Sequence, residues 1–526
     1  MLAKALMVVI FIGVAVGVGM YCRRSTASVD GFVLGGRGVG PWMSAFAFGT
    51  SYFSAVVFVG YAGQFGWKYG IAAMWAGIGN ALLGSLLAWW VLGPRTREIT
   101  HRIGATTMPE FFGMRFRSRG LRIASAAIIF VFLIPYTASV YNGLSRLFGM
   151  AFGLPYEVCV IGMAVVTCIY VVVGGYMATV MNDFLQGIVM LIGITAVIVA
   201  VLSGNGGFSQ AIVDLSQIPS EGSPMAGPFV SMFGPDPLDL LGVVVLTSLG
   251  TWGLPQMVSK FYAIKSGPAV KQGAIISTLF AFVVAGGSYF LGGFGRLYAD
   301  QVERGANGQP VFDSIIPTML STLPDVLVGI VVVLVLSASM STLSSLVLTS
   351  SSTLSSLVLT SSSTLTLDVL KGNVVKRMSE QQQLGWMRVL IVLFIVVSAA
   401  LALVQYHSSI TFIAQLMSIS WGALAGSFLG PLLWGLYWKR VSKGAVWASF
   451  IVGVGLTTGN MIAGLVGTPL IASPINCGAI AMVLSLVVVP VVSLVTKPVP
   501  FDVEPPSREG AIDREYAREL AEEQRG

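Results

Sequence analysis

The chain has 526 residues, 55% of them hydrophobic and only 10% charged, with a mean hydropathy of +0.83. So much apolar surface cannot be hidden in one water-soluble core, so the composition excludes a soluble globular domain and points to an all-α polytopic membrane protein. The net charge of +7 reads as membrane topology and not as a nucleic-acid footprint, because its Lys and Arg residues gather in alternate loops.

Crossing a hydrocarbon layer of ~30 Å takes ~20 apolar residues, and about thirteen such stretches follow one another. They lie near residues 2–22, 40–66, 70–93, 121–150, 155–178, 182–203, 238–259, 268–298, 322–370, 386–405, 408–437, 443–466 and 474–496. The first is followed by Arg23 and Arg24 and not preceded by them, so it is expected to be retained as a helix with its N-terminus outside. From that start the internal loops hold Arg37, the cluster from Arg95 to Arg122, Lys260, Lys265, Lys271, Lys371, Lys376, Arg377, Lys439, Arg440 and Lys443. The external ones hold Lys68, Arg146, Arg296 and Arg304, with the acidic Asp214, Glu221, Asp236 and Asp239. This places the C-terminus in the cytoplasm of a cell whose inner membrane the chain crosses many times.

The second span carries Gly49, Thr50, Ser51 and Ser54 at its middle. That density predicts a discontinuous helix whose freed carbonyls coordinate a cation and whose freed N–H groups hold a solute. The fourth span contributes Pro135, Tyr136 and Tyr141. Asp183, where the sixth span begins, reads as a helix N-cap or as a cation ligand. The seventh span repeats the theme with Gly250, Gly253 and Pro255, so it is expected to open near Trp252. No other carboxylate, lysine or arginine is expected mid-membrane, which favours a neutral or zwitterionic solute, or an anion held by helix dipoles. Both histidines, His101 and His407, are expected in loops, the four cysteines show no CxxC spacing, and no GxxxxGK[ST] occurs. A metalloenzyme and an ATP-driven pump are therefore not indicated, and an enzyme is not expected.

Two interrupted helices, each opening a set of five spans, predict an inverted-repeat secondary transporter. The expected organisation is a first helix and internal loop over 1–38, a first five-helix repeat over 39–204 and an external loop over 205–237. A second repeat over 238–438, two further helices over 439–497 and a cytoplasmic tail over 498–526 complete it. In the ninth span "STLSSLVLTSS" runs from Ser341 to Ser351 and recurs unchanged as Ser352 to Ser362. Ala338, Ser341 and Thr342 lie one turn apart in the first copy, so a carbonyl and two hydroxyls can converge on a hard cation such as sodium. The second copy keeps the same helical phase ~16 Å further on and is expected to be a passive extension toward the cytoplasm.

Four segments, "RSTASVDGFVLGGRGVGPWMSAFAFGTSYFS", "RIASAAIIFVFLIPYTASVYNGLSRLFG", "GGYMATVMNDFLQG" and "SASMSTLSSLVLTSS", resemble the sodium/solute symporter family, above all its proline-permease branch. The resemblance implies a LeuT-like five-plus-five inverted repeat with flanking helices and sodium-driven import of a small organic solute (an amino acid, monocarboxylate or vitamin) by alternating access. It implies a main sodium site at the carbonyls of Thr50, Phe53 and Ala338 and the hydroxyls of Ser341 and Thr342. Some members hold a second sodium, which here maps to Asp183, Ser341, Ser344 and Ser345. The solute is expected near Ser51, Tyr52, Ser54, Tyr136, Thr251, Trp252 and Pro255. An aspartate of the proline branch aligns with Tyr52, and its Trp and Tyr align with Thr247 and Thr251, so the solute pocket departs from that branch while the ion residues do not. Sodium, the solute and the lipid bilayer are the partners implied, and a monomer suffices. A solute sensor on a transporter body, a proton-coupled transporter and a channel are the competing classes.

Overall fold

A computed structural model of the chain describes residues 2–22, 28–220, 226–305, 308–369, 380–408 and 413–500. Arg23, Arg24, Glu221, Lys371, Lys376, Arg377 and the tail from 501 onward lie outside the described residues. Among those described the architecture is all-helical, with isolated β-bridges and no strand.

Among the described residues ten helices are long and apolar enough to cross a membrane, or eleven when Pro237–Gly253 and Pro255–Ala263, bent by 45°, count as one span. The expected thirteen are not reached, for two physical reasons. The second span is cut in its middle, so its latter half merges with the third into one run over Val56–Ile103, and the fifth survives as the shorter apolar helix Tyr156–Ile169.

The first helix, α1 (Leu2–Tyr21), packs along the outside of the bundle, where Lys4 pairs with Asp325 at 2.8 Å and donates to the Ala151 carbonyl. After the short α2 (Val29–Leu34), α3 (Pro41–Tyr52) starts on a proline that needs no N–H partner there. It ends at Phe53, and the chain resumes as a π-helical stretch, Val56–Tyr61, running into α4 (Ala62–Tyr69). Next, α5 (Met74–Gly79) and α6 (Ala88–Ile103) are joined by a second π-helical stretch, Asn80–Leu87. His101, expected in a loop, belongs to α6, with Nε2 3.3 Å from the Tyr262 carbonyl. The connector helix α7 (Met108–Arg115) leads to α8 (Arg119–Phe152). The fifth and sixth spans form one helical run, α9 (Tyr156–Gly204), bent where Gly175 adopts φ 56°, a value side-chain-bearing residues avoid. The bend lies at Gly175, so Asp183 sits inside a helix and is not an N-cap.

The second half begins with α10 (Phe208–Ser216) and α11 (Pro237–Gly253), the latter capped by the Asp236 side chain. Leu254 separates α11 from α12 (Pro255–Ala263). Then come α13 (Gly267–Ala281), α14 (Gly287–Gly292), the short α15 (Phe312–Ser321) and α16 (Asp325–Val369), which runs unbroken through both copies of the repeated segment. Four further helices follow: α17 (Glu380–Ser408), α18 (Ile413–Tyr437), α19 (Lys443–Leu465) and α20 (Pro474–Val495). The core lies where α3, α8, α9, α11, α16 and α18 meet, and small residues permit the close approaches. Gly66 meets the backbone of Gly292 with no room for a Cβ, as is usual where membrane helices pack without a hydrophobic driving force between them. The openings of the two repeats are also tied together, Val39 N–H donating to Ala263 O (3.2 Å) and Lys265 N–H to Val39 O (3.1 Å).

Candidate functional site

The break in the second span is built by its own sequence. Phe53 is extended (φ −82°, ψ 119°) and its N–H bonds the Gly49 carbonyl, while the Ser54 hydroxyl accepts from Val56 N–H and restarts the helix. The carbonyls of the last turn of α3 therefore lose their intrahelical donors. They are buried, and a side chain of another helix meets them. Thr342 Oγ1 lies 3.4 Å from Thr50 O, 3.5 Å from Ser51 O, 3.3 Å from Phe53 O and 3.1 Å from Ala338 O. A hydroxyl has one proton to give, so four carbonyl oxygens share a single donor at long distance. Such an oxygen-rich, protein-enclosed cluster suits a hard monovalent cation.

Ser341, adjacent in sequence, points elsewhere. Its hydroxyl donates to Asp183 Oδ1 at 2.6 Å. Asp183 is fully buried, and its Oδ2 faces Lys260 Nζ at 3.7 Å. Lys260 was expected in an internal loop; it belongs to α12 instead, is only 2% exposed and donates to Ser345 Oγ at 3.1 Å. Ser345 in turn shares a hydrogen bond with Ser51 (2.8 Å), whereas Ser344 turns back to the Ser341 carbonyl of its own helix. The residues mapped to the ions thus form two neighbouring clusters, one around Thr342 and one around Asp183. The charge of Lys260 was missed because the apolar run ends at 259, although its position five residues after Pro255 on one helix was a usable signal.

The residues expected to meet the solute separate as well. Tyr52 and Tyr136 approach the Trp421 ring of α18, with centroids 5.7 and 5.9 Å away. Asn80, in the π-helical stretch, donates to the Tyr52 hydroxyl and accepts from Ser248 at 3.3 Å. The Tyr136 hydroxyl and the Trp421 indole N–H are buried without a hydrogen-bond partner of good geometry. Thr251 donates to the carbonyls of Gly84 and Ser248, and Trp252 Nε1 to Leu83 O at 2.9 Å, so both lean on the Asn80–Leu87 stretch. Ser51 faces the Lys260 cluster, and Pro255 borders the cavity beneath it. Neither Asn80 nor Trp421 was singled out from the sequence; helical stretches interrupted by π geometry and lone tryptophans carry too weak a local signal.

Two cavities in the bundle differ in size. The cavity bounded by Arg146, Asp313, Tyr156 and Tyr406 measures about 350 Å³. The one bounded by Lys260, Ser345, Tyr176, Ser352 and Thr353 measures about 20 Å³, room for roughly one water. At the first cavity Asp313 accepts from Ile413 N–H (3.3 Å) and lies 4.0 Å from Arg146 Nε.

Paired broken helices around a buried oxygen cluster define a secondary transporter of the five-plus-five inverted-repeat class. Residues 32–453 match the model of the sodium:solute symporter family, and the chain belongs to that family of sodium-coupled symporters. It is similar to the sodium/proline symporters of Salmonella typhimurium and Escherichia coli, each 29% identical over 450 residues and matched over 83% of both chains. The osmoregulated proline transporter OpuE of Bacillus subtilis is 26% identical over 458 residues, 84% of this chain and 86% of its own. In fold it is similar to a solved substrate-bound, outward-open Na+-coupled sialic acid symporter, with a TM-score of 0.71, 16% identity and coverage of 94% of this chain and 98% of that one.

Proposed function

We infer that this multi-pass membrane protein imports a small neutral or zwitterionic solute into the cytoplasm, with sodium bound at the Thr342 cluster during each inward step. The single observation that carries the reading is the convergence of Thr342 Oγ1 with the carbonyls freed at the break in α3. Sodium there would be held by Thr50, Phe53, Ala338 and Thr342 and would stiffen the broken helix against α16, favouring one conformation of the transporter over the other. The excess of Lys and Arg on the loops flanking α6, α7 and α12 supports an internal location for that side and a cytoplasmic C-terminus.

The solute would lie against Tyr52, Tyr136 and Trp421, where aromatic faces and two unpaired donors offer a site for a compact, partly apolar molecule. Those side chains are uncharged, so the charges of an amino acid would be met by helix ends. Proline, named in the relatives, is the first solute to test, and the departures at Tyr52, Thr247 and Thr251 make a panel of amino acids and monocarboxylates its necessary companion. In proteoliposomes, accumulation of the true solute should follow an inward sodium gradient and vanish when sodium is replaced by choline at constant ionic strength. Uptake that persists on a proton gradient alone would overturn the assignment.

A further inference from the structure

The Asp183 cluster contains a positive charge of its own. The Lys260 ammonium has three N–H groups, and it faces Ser345 Oγ at 3.1 Å, Asp183 Oδ2 at 3.7 Å and the ring of Tyr176 with its centroid 5.3 Å away. Of the four residues that map to a second ion, Asp183 and Ser345 face it directly, and Ser341 and Ser344 are engaged by other partners. Asp183 Oδ1 takes the Ser341 proton, Oδ2 faces the ammonium, Ser345 accepts from Lys260 and pairs with Ser51, and Ser344 bonds back to the Ser341 carbonyl.

We propose that the Lys260 ammonium is a tethered cation filling the second ion position, so that this chain binds one sodium ion and carries one per cycle. A buried carboxylate needs a positive partner, and either a metal ion or an ammonium supplies the same unit charge. Both cannot share the position: two unit charges ~4 Å apart in a protein interior repel strongly enough to weaken ion binding by about a thousandfold. The tether also has a geometric meaning. Lys260 stands less than two turns past the break at Leu254, so movement of α12 carries the charge with it, and the charge returns with the protein instead of leaving with the solute. A second free ion would square the accumulation that a given sodium gradient sustains, and a lysine in its place forgoes that.

The inference rests on the sodium-symport reading and is tested by counting sodium, without any solute. Equilibrium binding of radioactive sodium to the purified full chain should saturate at one ion per chain with a Hill coefficient near one. Lys260→Met removes the charge while keeping the bulk, and it should bind two; Lys260→Met combined with Asp183→Asn should return to one. Lys260→Arg, which keeps a cation, should stay at one. Two ions in the parent chain, or one ion in a monodisperse, folded Lys260→Met, would overturn the tethered cation and leave the symporter reading standing. No saturable sodium in the parent would remove both. If Lys260→Met does not fold, the parent and Lys260→Arg counts decide alone.

Discussion

The helix breaks at Phe53 and Leu254 have nearly the same backbone, φ −82°, ψ 119° against φ −78°, ψ 123°, as expected of corresponding points in two inverted repeats. Their surroundings differ. At Phe53 the freed carbonyls meet Thr342. At Leu254 the carbonyl is taken up at once by the N–H groups of Met257 and Val258, each 3.1 Å away. Gly253 presses on Ala425 and Gly250 on Trp421, and the Thr251 hydroxyl is spent on Gly84 and Ser248. A break is therefore not by itself an ion site. On the proposed reading it becomes one where the partner helix offers a hydroxyl to the freed carbonyls; where the carbonyl at the break is taken up by the next turn and the helix packs on small residues, the same geometry is suited to bending.

The contrast breaks most readily at Thr342. Thr342→Val removes the one hydroxyl facing four carbonyls while keeping the branched shape, so the half-saturating sodium concentration for uptake should rise at least about tenfold, equivalent to ~1.4 kcal/mol of ion binding. Thr251→Val, the matching loss at the second break, should leave the sodium dependence in place. Equal sodium shifts in both variants would mean that the two breaks are functionally alike.

The charges beside the larger cavity extend the comparison. Asp313, in the short α15 outside the membrane spans, is buried, which pushes its carboxyl up to about 6 against the opposing pull of Arg146 and the Ile413 N–H. Its pKa is higher folded than unfolded, so between about pH 4 and 6 the folded chain holds a proton that the unfolded chain has lost. Stability from this group is therefore greatest at the acidic end of that window and falls as pH rises through 6. The swing is on the order of 1–3 kcal/mol. Thermal unfolding in detergent at pH 4.5, 5.5 and 7 should show that decline in the parent and not in Asp313→Asn; an identical slope in both would assign it to other groups.

Pro255→Ala gives a smaller effect and tests the bending role. Proline starts α12 and supplies no N–H, which stops α11 from continuing. With alanine the helix can run on across Leu254, so the maximal uptake rate should fall by a few fold, while the half-saturating sodium concentration stays within about twofold, because the carbonyls at Phe53 are untouched. A sodium shift as large as that of Thr342→Val would show that the second break also supports the ion.

Much of this was legible locally. Gly49, Thr50, Ser51 and Ser54 announce a weak helix, Pro255 announces another, and the hydroxyls of the repeated segment stand out in an apolar run. What local reading could not supply was partnership. Thr342 meets Thr50 across 292 residues of chain and Ser51 meets Ser345 across 294, so spacing could not tell that Ser341 and Thr342, adjacent on one helix, serve different clusters. Lys260 was read as loop because a charge ends a hydropathy window, whether it faces water or, as here, a buried carboxylate.

The repeated segment yields the smallest expected effect. Its first copy holds Thr342 at the broken helix, whereas Ser352 and Thr353 of the second lie about three turns further along α16 and border the small cavity below Lys260. Those two positions are buried, so the second copy is not wholly outside the packed bundle. Removing Ser352 to Ser362 nevertheless restores what it removes. Ser351 would be followed by Ser363, Thr364 and Leu365, the same three residues as Ser352, Thr353 and Leu354. Eleven residues make close to three turns, so the replacements take the same helix positions and the chain beyond them is drawn in by ~16 Å with only ~20° of rotation. The deletion should leave the half-saturating sodium concentration within about twofold of the parent, and Ser352→Ala with Thr353→Ala should be nearly as quiet, since Ser352 only returns a hydrogen bond to its own helix at Thr349. A tenfold sodium shift on deletion, with Thr342→Val silent, would move the ion from the first copy to the second and with it the partner of the break at Phe53.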